Sequence, residues 1–249
     1  MIENAGPRAA GVYRRRIRLI TAPGAVRAGL EDTAHSMRLV LSHDGMCVTG
    51  IDAGFPRIPL TTCPGAAEPL RELVGLPLAS YPERRLANID PRLHCTHLYH
   101  LALLALAHAR RDGRRQYDVE VPFDRAAPVW ASLHRNGVLL HRWQVWDGTI
   151  RAPAELAGRP VLQGFARWAG THFDAEAFEA AMVLHNGIFV SGAGHRSMAR
   201  PRSPRAADFP ELLGACYSYQ PVRVQQGVYH PDSPRDTTPP DVPLLADLE

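Results

Sequence analysis

A chain of 249 residues with 45% hydrophobic and 21% charged residues has the composition of an ordinary globular protein, long enough for one large core or two small ones. The net charge of +3 is too small to argue for nucleic acid. All 28 basic residues are arginine, which excludes Schiff-base chemistry by a lysine, the usual pyridoxal phosphate anchor and a Walker A loop.

In chain order, Met1 to Gly11 is polar and is expected to fray. Tyr13 to Leu19 mixes four arginines with apolar residues. It reads as an edge strand with a basic, solvated face, or as an arm that binds anions. Val26–Leu30, Ser36–Leu41 and Met46–Ile51 follow as strands, and Asp44-Gly45 marks a hairpin turn. Cys63 opens a helix that runs to Val74, with Pro64 in a tolerated first-turn position and Gly75 as a stop. Leu76 to Asp90 reads as a surface connection. Cys95 to Arg110 has a broad apolar stripe closed by Arg110, Arg111 and Gly113, the pattern of a core helix.

The second half begins another meander. Tyr117–Val121 alternates, Asn136-Gly137 signals a hairpin before Val138–Val145, and Ile150 ends the set. Phe173–His185 is helical, Ser191–Ala207 has the composition of a mobile loop or lid, and Cys216–Gln220 is a short strand or turn. From Pro221 a proline-rich tail is expected to wrap the surface. The fold class is therefore α+β: an antiparallel meander packed with helices over residues 1–113, and a second small meander with a helix over 114–249, the two packed as one unit. Trp143, Trp146, Phe165 and Trp168 form an aromatic zone that either lines an apolar pocket or fills core. The longest apolar run, Leu98 to Ala109, is too short to span a bilayer and carries His100 and His108, so no membrane is expected and the chain reads as cytoplasmic.

Two cysteines placed where helices begin direct attention to chemistry. Cys63, Cys95, His97 and the pair Asp32/His35 offer thiolate, imidazole and carboxylate, the donors that suit zinc, and helix N-termini lower thiol pKa values. No compact metal motif is present, so three readings stand: a metal site, buried structural cysteines, or a thiolate nucleophile with His97 as base. Cys47 sits in a strand pattern as a small hydrophobe. His97 and His100, one turn apart, are candidates for acid/base work, and Arg57 for holding a substrate carboxylate.

Nearly the whole chain resembles a bacterial family of unknown function, number 2889, through Val26-Arg27-Ala28-Gly29-Leu30-Glu31-Asp32, His43-Asp44-Gly45, Arg57-Ile58-Pro59, Thr62-Cys63-Pro64-Gly65-Ala66, Cys95-Thr96-His97-Leu98 and Gly214-Ala215-Cys216-Tyr217. The first half is also similar in its order of elements to U-type iron–sulfur scaffold and zinc-dependent sulfur-transfer proteins. That second resemblance implies metal ligands at Asp32, Cys63 and Cys95, with His35, His97 or Cys216 as a fourth. It departs from the pattern at Leu30-Glu31-Asp32, where those proteins carry an early cysteine.

The expectation drawn from all of this is an enzyme with a zinc-like site of Asp32, His35, Cys63 and Cys95. It would act on a small carbonyl or carboxylate compound as a lyase, isomerase or hydrolase, with His97, His100 and Arg57 as catalytic residues. The alternatives are a metal or sulfur carrier related to cluster assembly and a non-catalytic binding module. Substrate and oligomeric state are not specified by the sequence.

Overall fold

The structure, a computed structural model, describes residues 11–78, 89–124, 126–198 and 203–248. The expected frayed start and much of the connection 76–90 lie outside these residues, as does the middle of the predicted loop 191–207.

Four strands open the fold: β1 (Val12–Ala22), β2 (Ala25–Glu31), β3 (Ser36–His43) and β4 (Val48–Arg57). After a 3-10 segment at Cys63–Leu73 comes the helix α1 (Thr96–His108). The pattern then repeats with β5 (Gly113–Pro122), β6 (Val129–Arg135), β7 (Val138–Trp146) and β8 (Thr149–Ala152), followed by α2 (Phe165–His172) and α3 (Ala175–Met198). All eight strands form one antiparallel sheet in the order β4-β3-β2-β1-β5-β6-β7-β8. The two expected meanders are thus halves of one sheet, joined where β1 pairs with β5. Tight turns set the register in the second half, with Asn136-Gly137 and Asp147-Gly148 both at positive φ, the conformation that a two-residue hairpin demands.

The expected edge strand at Tyr13–Leu19 is corrected by this topology: β1 is central and paired on both sides. Its arginines meet partners within the chain rather than solvent or an anion. Arg15 and Arg18 are buried, Arg16 pairs with Asp118 at 2.6 Å and Arg14 with Glu120 at 2.8 Å. One face of the sheet carries the helices, α1 against β1–β3 and α3 against β5–β7 and β1. α1 is sheathed so fully that, apart from Thr96 and Leu103, each of its residues is buried, His97, His100 and His108 included.

Three local expectations also change. Cys63–Leu73 is a 3-10 segment, since Pro69 inside it cannot donate to an α-helical ladder. α3 continues to Met198, so the predicted loop begins inside a helix. Trp143 and Phe165 of the aromatic zone are core residues, at 1% and 2% exposure. Cys216 precedes a 3-10 turn at Tyr217–Tyr219, and the tail, expected to wrap the surface, ends packed on β2, with Leu244, Leu245 and Leu248 buried and Leu245 N bonded to Glu31.

Candidate active site

β2 ends at Glu31, and the chain must turn within four residues to enter β3. Asp32 builds that turn: its Oδ1 accepts from the backbone N–H of Ala34 at 3.0 Å and of His35 at 2.9 Å, the hydrogen bonds of an Asx turn. Arg57, at the end of β4, clamps it from outside, donating to the carbonyls of Asp32 (2.6 Å), Thr33 (2.9 Å), His35 (3.2 Å) and Ser233 (2.7 Å). The guanidinium also reaches Glu31 Oε1 at 3.3 Å, so Arg57 acts here as a positioning residue whose donors are taken by the chain itself, whereas the sequence suggested that it holds a substrate carboxylate.

The turn delivers Asp32 and His35 to the start of α1. His35 Nδ1 lies 2.9 Å from Asp32 Oδ1, while Asp32 Oδ2 accepts from the Tyr13 hydroxyl (2.7 Å) and from Arg15 Nη2 (2.6 Å). Burial opposes ionisation of Asp32, but the charges of His35 and Arg15 beside it hold its carboxyl well below the usual carboxylate range. His97, in the first turn of α1, stacks on His35 with ring centroids 3.8 Å apart and planes 28° apart. Its Nε2 is 3.7 Å from Asp32 Oδ2 and makes no hydrogen bond. Burial, followed by the charges of His35 and Arg15, pushes the His97 pKa well down, so the ring is neutral at pH 7.

Each imidazole therefore turns one nitrogen toward Asp32. Both residues also line a cavity whose volume is about 830 Å³. Its walls come from the segment after Pro59, the start of α1, Phe189 of α3 and the chain from Pro204 to Pro234. Phe209, Tyr217, Tyr219 and Tyr229 make it aromatic, and the Tyr219 and Tyr229 hydroxyls bond to each other. Glu211 and Asp232 are its acids, and no arginine lines it among the described residues.

Cys63, Cys95 and Cys216 share one wall of this cavity. The expected activation by helix N-termini is overturned. Burial pushes the Cys63 thiol up to about 11 and raises Cys95 and Cys216 as well, so all three are protonated thiols at pH 7. The ligand set is rearranged too. The ligand atoms of Asp32, His35 and His97 all lie within 4.8 Å of one another, a cluster that could hold a metal ion, and neither Cys63 nor Cys95 belongs to it. His100 is also displaced from its expected role: it does not line the cavity, and burial followed by the charge of Arg15 pushes its pKa down to about 3.

Tyr13 and Arg15 are the site residues that sequence reasoning missed. An arginine on the inward face of a strand needs a buried acid, and Asp32, just past the end of the neighbouring strand, was the acid in reach.

No curated protein matches the chain. A family model described as protein of unknown function (DUF2889) matches residues 21–111, from the end of β1 through the Asp32 turn, Cys63, Cys95 and His97 to the residues just past α1.

Proposed function

We propose that the chain is a cytoplasmic enzyme that moves a proton on an uncharged, largely apolar carbonyl compound, as a lyase or isomerase does. The observation that carries this reading is the pair of stacked imidazoles, set against one carboxylate, both lining a cavity of about 830 Å³. A cavity of that size suits a small organic molecule, and the absence of arginine from its described lining disfavours an anionic one.

The chemistry follows from charge. Two imidazoles 3.8 Å apart hold one added proton between them, because a second would place like charges in contact. Asp32 stabilises that single imidazolium through His35 Nδ1–H, while Arg15 and Tyr13 keep the carboxylate ionised and oriented. The pair can then take a proton from one position of a bound molecule and return it at another. The test is α-proton exchange in D2O over a panel of neutral ketones and enones, followed by NMR. Exchange slowed about 100-fold or more in His35→Ala and His97→Ala, and retained in Cys63→Ser, is the expected outcome. A panel member that binds the cavity without exchanging in the wild type counts against the reading.

A second reading is favoured by the closeness of the Asp32, His35 and His97 ligand atoms: a divalent ion such as zinc, polarising the substrate carbonyl. It requires rearrangement. Imidazole lone pairs lie in the ring plane, and two planes 28° apart do not converge on a point about 2 Å from both nitrogens. Arg15 also occupies Asp32 Oδ2. Zinc calorimetry on wild type and His97→Ala separates the readings, since only the metal site predicts tight binding that the variant loses.

A further inference from the structure

Beyond the histidine pair, part of the cavity wall belongs to an apolar cluster of its own. Leu60, Cys63, Ala206, Phe209, Tyr219 and Val224 pack together apart from the main core, with Tyr229 against them. Its rings sit edge to face: the Phe209 and Tyr229 centroids are 5.5 Å apart with planes at 76°, and the Tyr219 and Tyr229 hydroxyls bond to each other. Backbone hydrogen bonds fix this arrangement from two sides. Tyr229 N donates to Pro204 O at 2.7 Å, Tyr229 pairs with Leu60 in an antiparallel bridge, and His230 N donates to Pro59 O at 2.9 Å. The same strip of chain then reaches the histidine turn. The Ser233 hydroxyl donates to Ala34 O at 2.8 Å, and the Ser233 carbonyl accepts from Arg57 at 2.7 Å. Tyr229 and Ser233 are separated by a length of chain that spans at most about 14 Å, so the aromatic cluster and the imidazole pair lie within reach of one bound molecule.

We propose that the substrate carries an aryl group, which packs against Phe209, Tyr219 and Tyr229 while its carbonyl lies at His35 and His97. The reacting end of this assignment rests on the proton-transfer reading; the aryl end rests on the cluster alone. A cavity of about 830 Å³ is far larger than a carbonyl and its neighbouring carbons need, so the rest of the molecule must fill the remainder. Rings already set edge to face offer positive edges and negative faces to a further ring, which a saturated group of the same size cannot use. Phe209, Tyr219 and Tyr229 are on this view specificity-determining residues, mounted on the strip of chain that also braces the Asp32 turn.

The probes are benzylacetone and its cyclohexyl counterpart, two neutral ketones that differ only in the saturation of the ring. Their affinities for the full chain are measured by ligand-observed NMR, and their α-proton exchange is followed in D2O on the same samples. The saturated ring buries at least as much apolar surface, so burial alone predicts equal or tighter binding of the cyclohexyl compound. The expected result is the reverse: benzylacetone binds about fivefold more tightly, the size of an aromatic pair's gain beyond burial. Phe209→Leu and Tyr229→Leu, checked for fold by circular dichroism, should bring the ratio of affinities close to one. A purely structural role for these rings would weaken both ketones alike and leave the ratio unchanged. Equal affinities in the wild type overturn the proposal, as does an aryl preference that persists in both leucine variants. An aryl preference lost in the variants, with neither ketone exchanging its protons, supports the aryl site and counts against the proton-transfer reading instead.

Discussion

Asp32 shows how far one carboxylate can organise a site. It sits at 1% exposure against Arg15 at 2%, so the two charges depend on each other for compensation. Asp32→Asn keeps the size of the side chain and removes its charge, leaving Arg15 and the Tyr13 hydroxyl facing a neutral amide. Stranding a buried charge costs about 3–5 kcal/mol, to be read as a lower urea midpoint at unchanged slope. Adding Arg15→Met to that variant should recover part of the loss, which an effect confined to the turn would not. The buried histidines give the protein a defined acid response. Their folded pKa values are lowered, to about 3 for His100, against about 6.5 when unfolded, so between those values the unfolded chain binds more protons. Stability is therefore complete above about pH 6.5 and falls as pH drops toward 3. Asp32, whose folded pKa is also lowered, adds its loss only below its unfolded value of about 3.9. Urea midpoints from pH 7 to 4 should decline steadily, and His100→Gln should flatten the decline by up to one proton, about 1.4 kcal/mol per pH unit.

At the scale of elements, the most informative departure is Cys63–Leu73. Its apolar spacing buries Cys63, Ala66, Leu70 and Leu73 as a helix would, yet Pro69 forces the 3-10 geometry. The segment serves as a shelf for the cavity wall. A Cβ on Gly65 would lie 2.6 Å from the Tyr217 hydroxyl, so glycine is what lets Tyr217 approach. Gly65→Ala should push Tyr217 and its neighbours Cys216 and Ser218 off the shelf, costing about 1–3 kcal/mol. Faster amide exchange confined to residues 214–220 would show it, whereas unchanged exchange there would mean that the ring moves without its backbone. Elements with their own periodicity or turn signals were legible in the sequence: β2, β3, β4, α1 and the Asn136-Gly137 hairpin. Those decided by distant partners were not. The arginines of β1 look solvated until Asp32, Asp118 and Glu120 are placed beside them. For the site, proximity in the chain made Asp32 and His35 visible together and the start of α1 singled out His97, but no pattern in the sequence records that His35 and His97 stack.

The whole molecule joins the site to the end of the described chain. Arg235 N donates to Thr33 O at 2.7 Å and its side chain reaches Glu31 Oε1 at 3.0 Å, while Leu245 N donates to Glu31 Oε2 at 2.8 Å. Arg18, from the central strand, donates to the carbonyls of Leu245 and Leu248. Glu31 is buried and immediately precedes Asp32, so the tail holds the same turn that Arg57 clamps from the other side. Removing residues 235–249 would leave Glu31 without its Arg235 and Leu245 donors. Each buried partner lost in this way costs about 1–3 kcal/mol. The secondary structure of the sheet and α1 does not depend on these contacts, so the truncated chain should keep its far-ultraviolet circular dichroism, melt earlier, and exchange substrate protons more slowly because the His35 ring is no longer fixed against Asp32. The single substitution Glu31→Gln separates the two sources of that effect, since it keeps the tail in place but weakens its hold on the turn. If both variants slow proton exchange in proportion to their loss of stability, the tail acts by ordering the turn. If truncation lowers stability but leaves exchange at the wild-type rate, Arg57 alone suffices to hold Asp32 and His35 for chemistry.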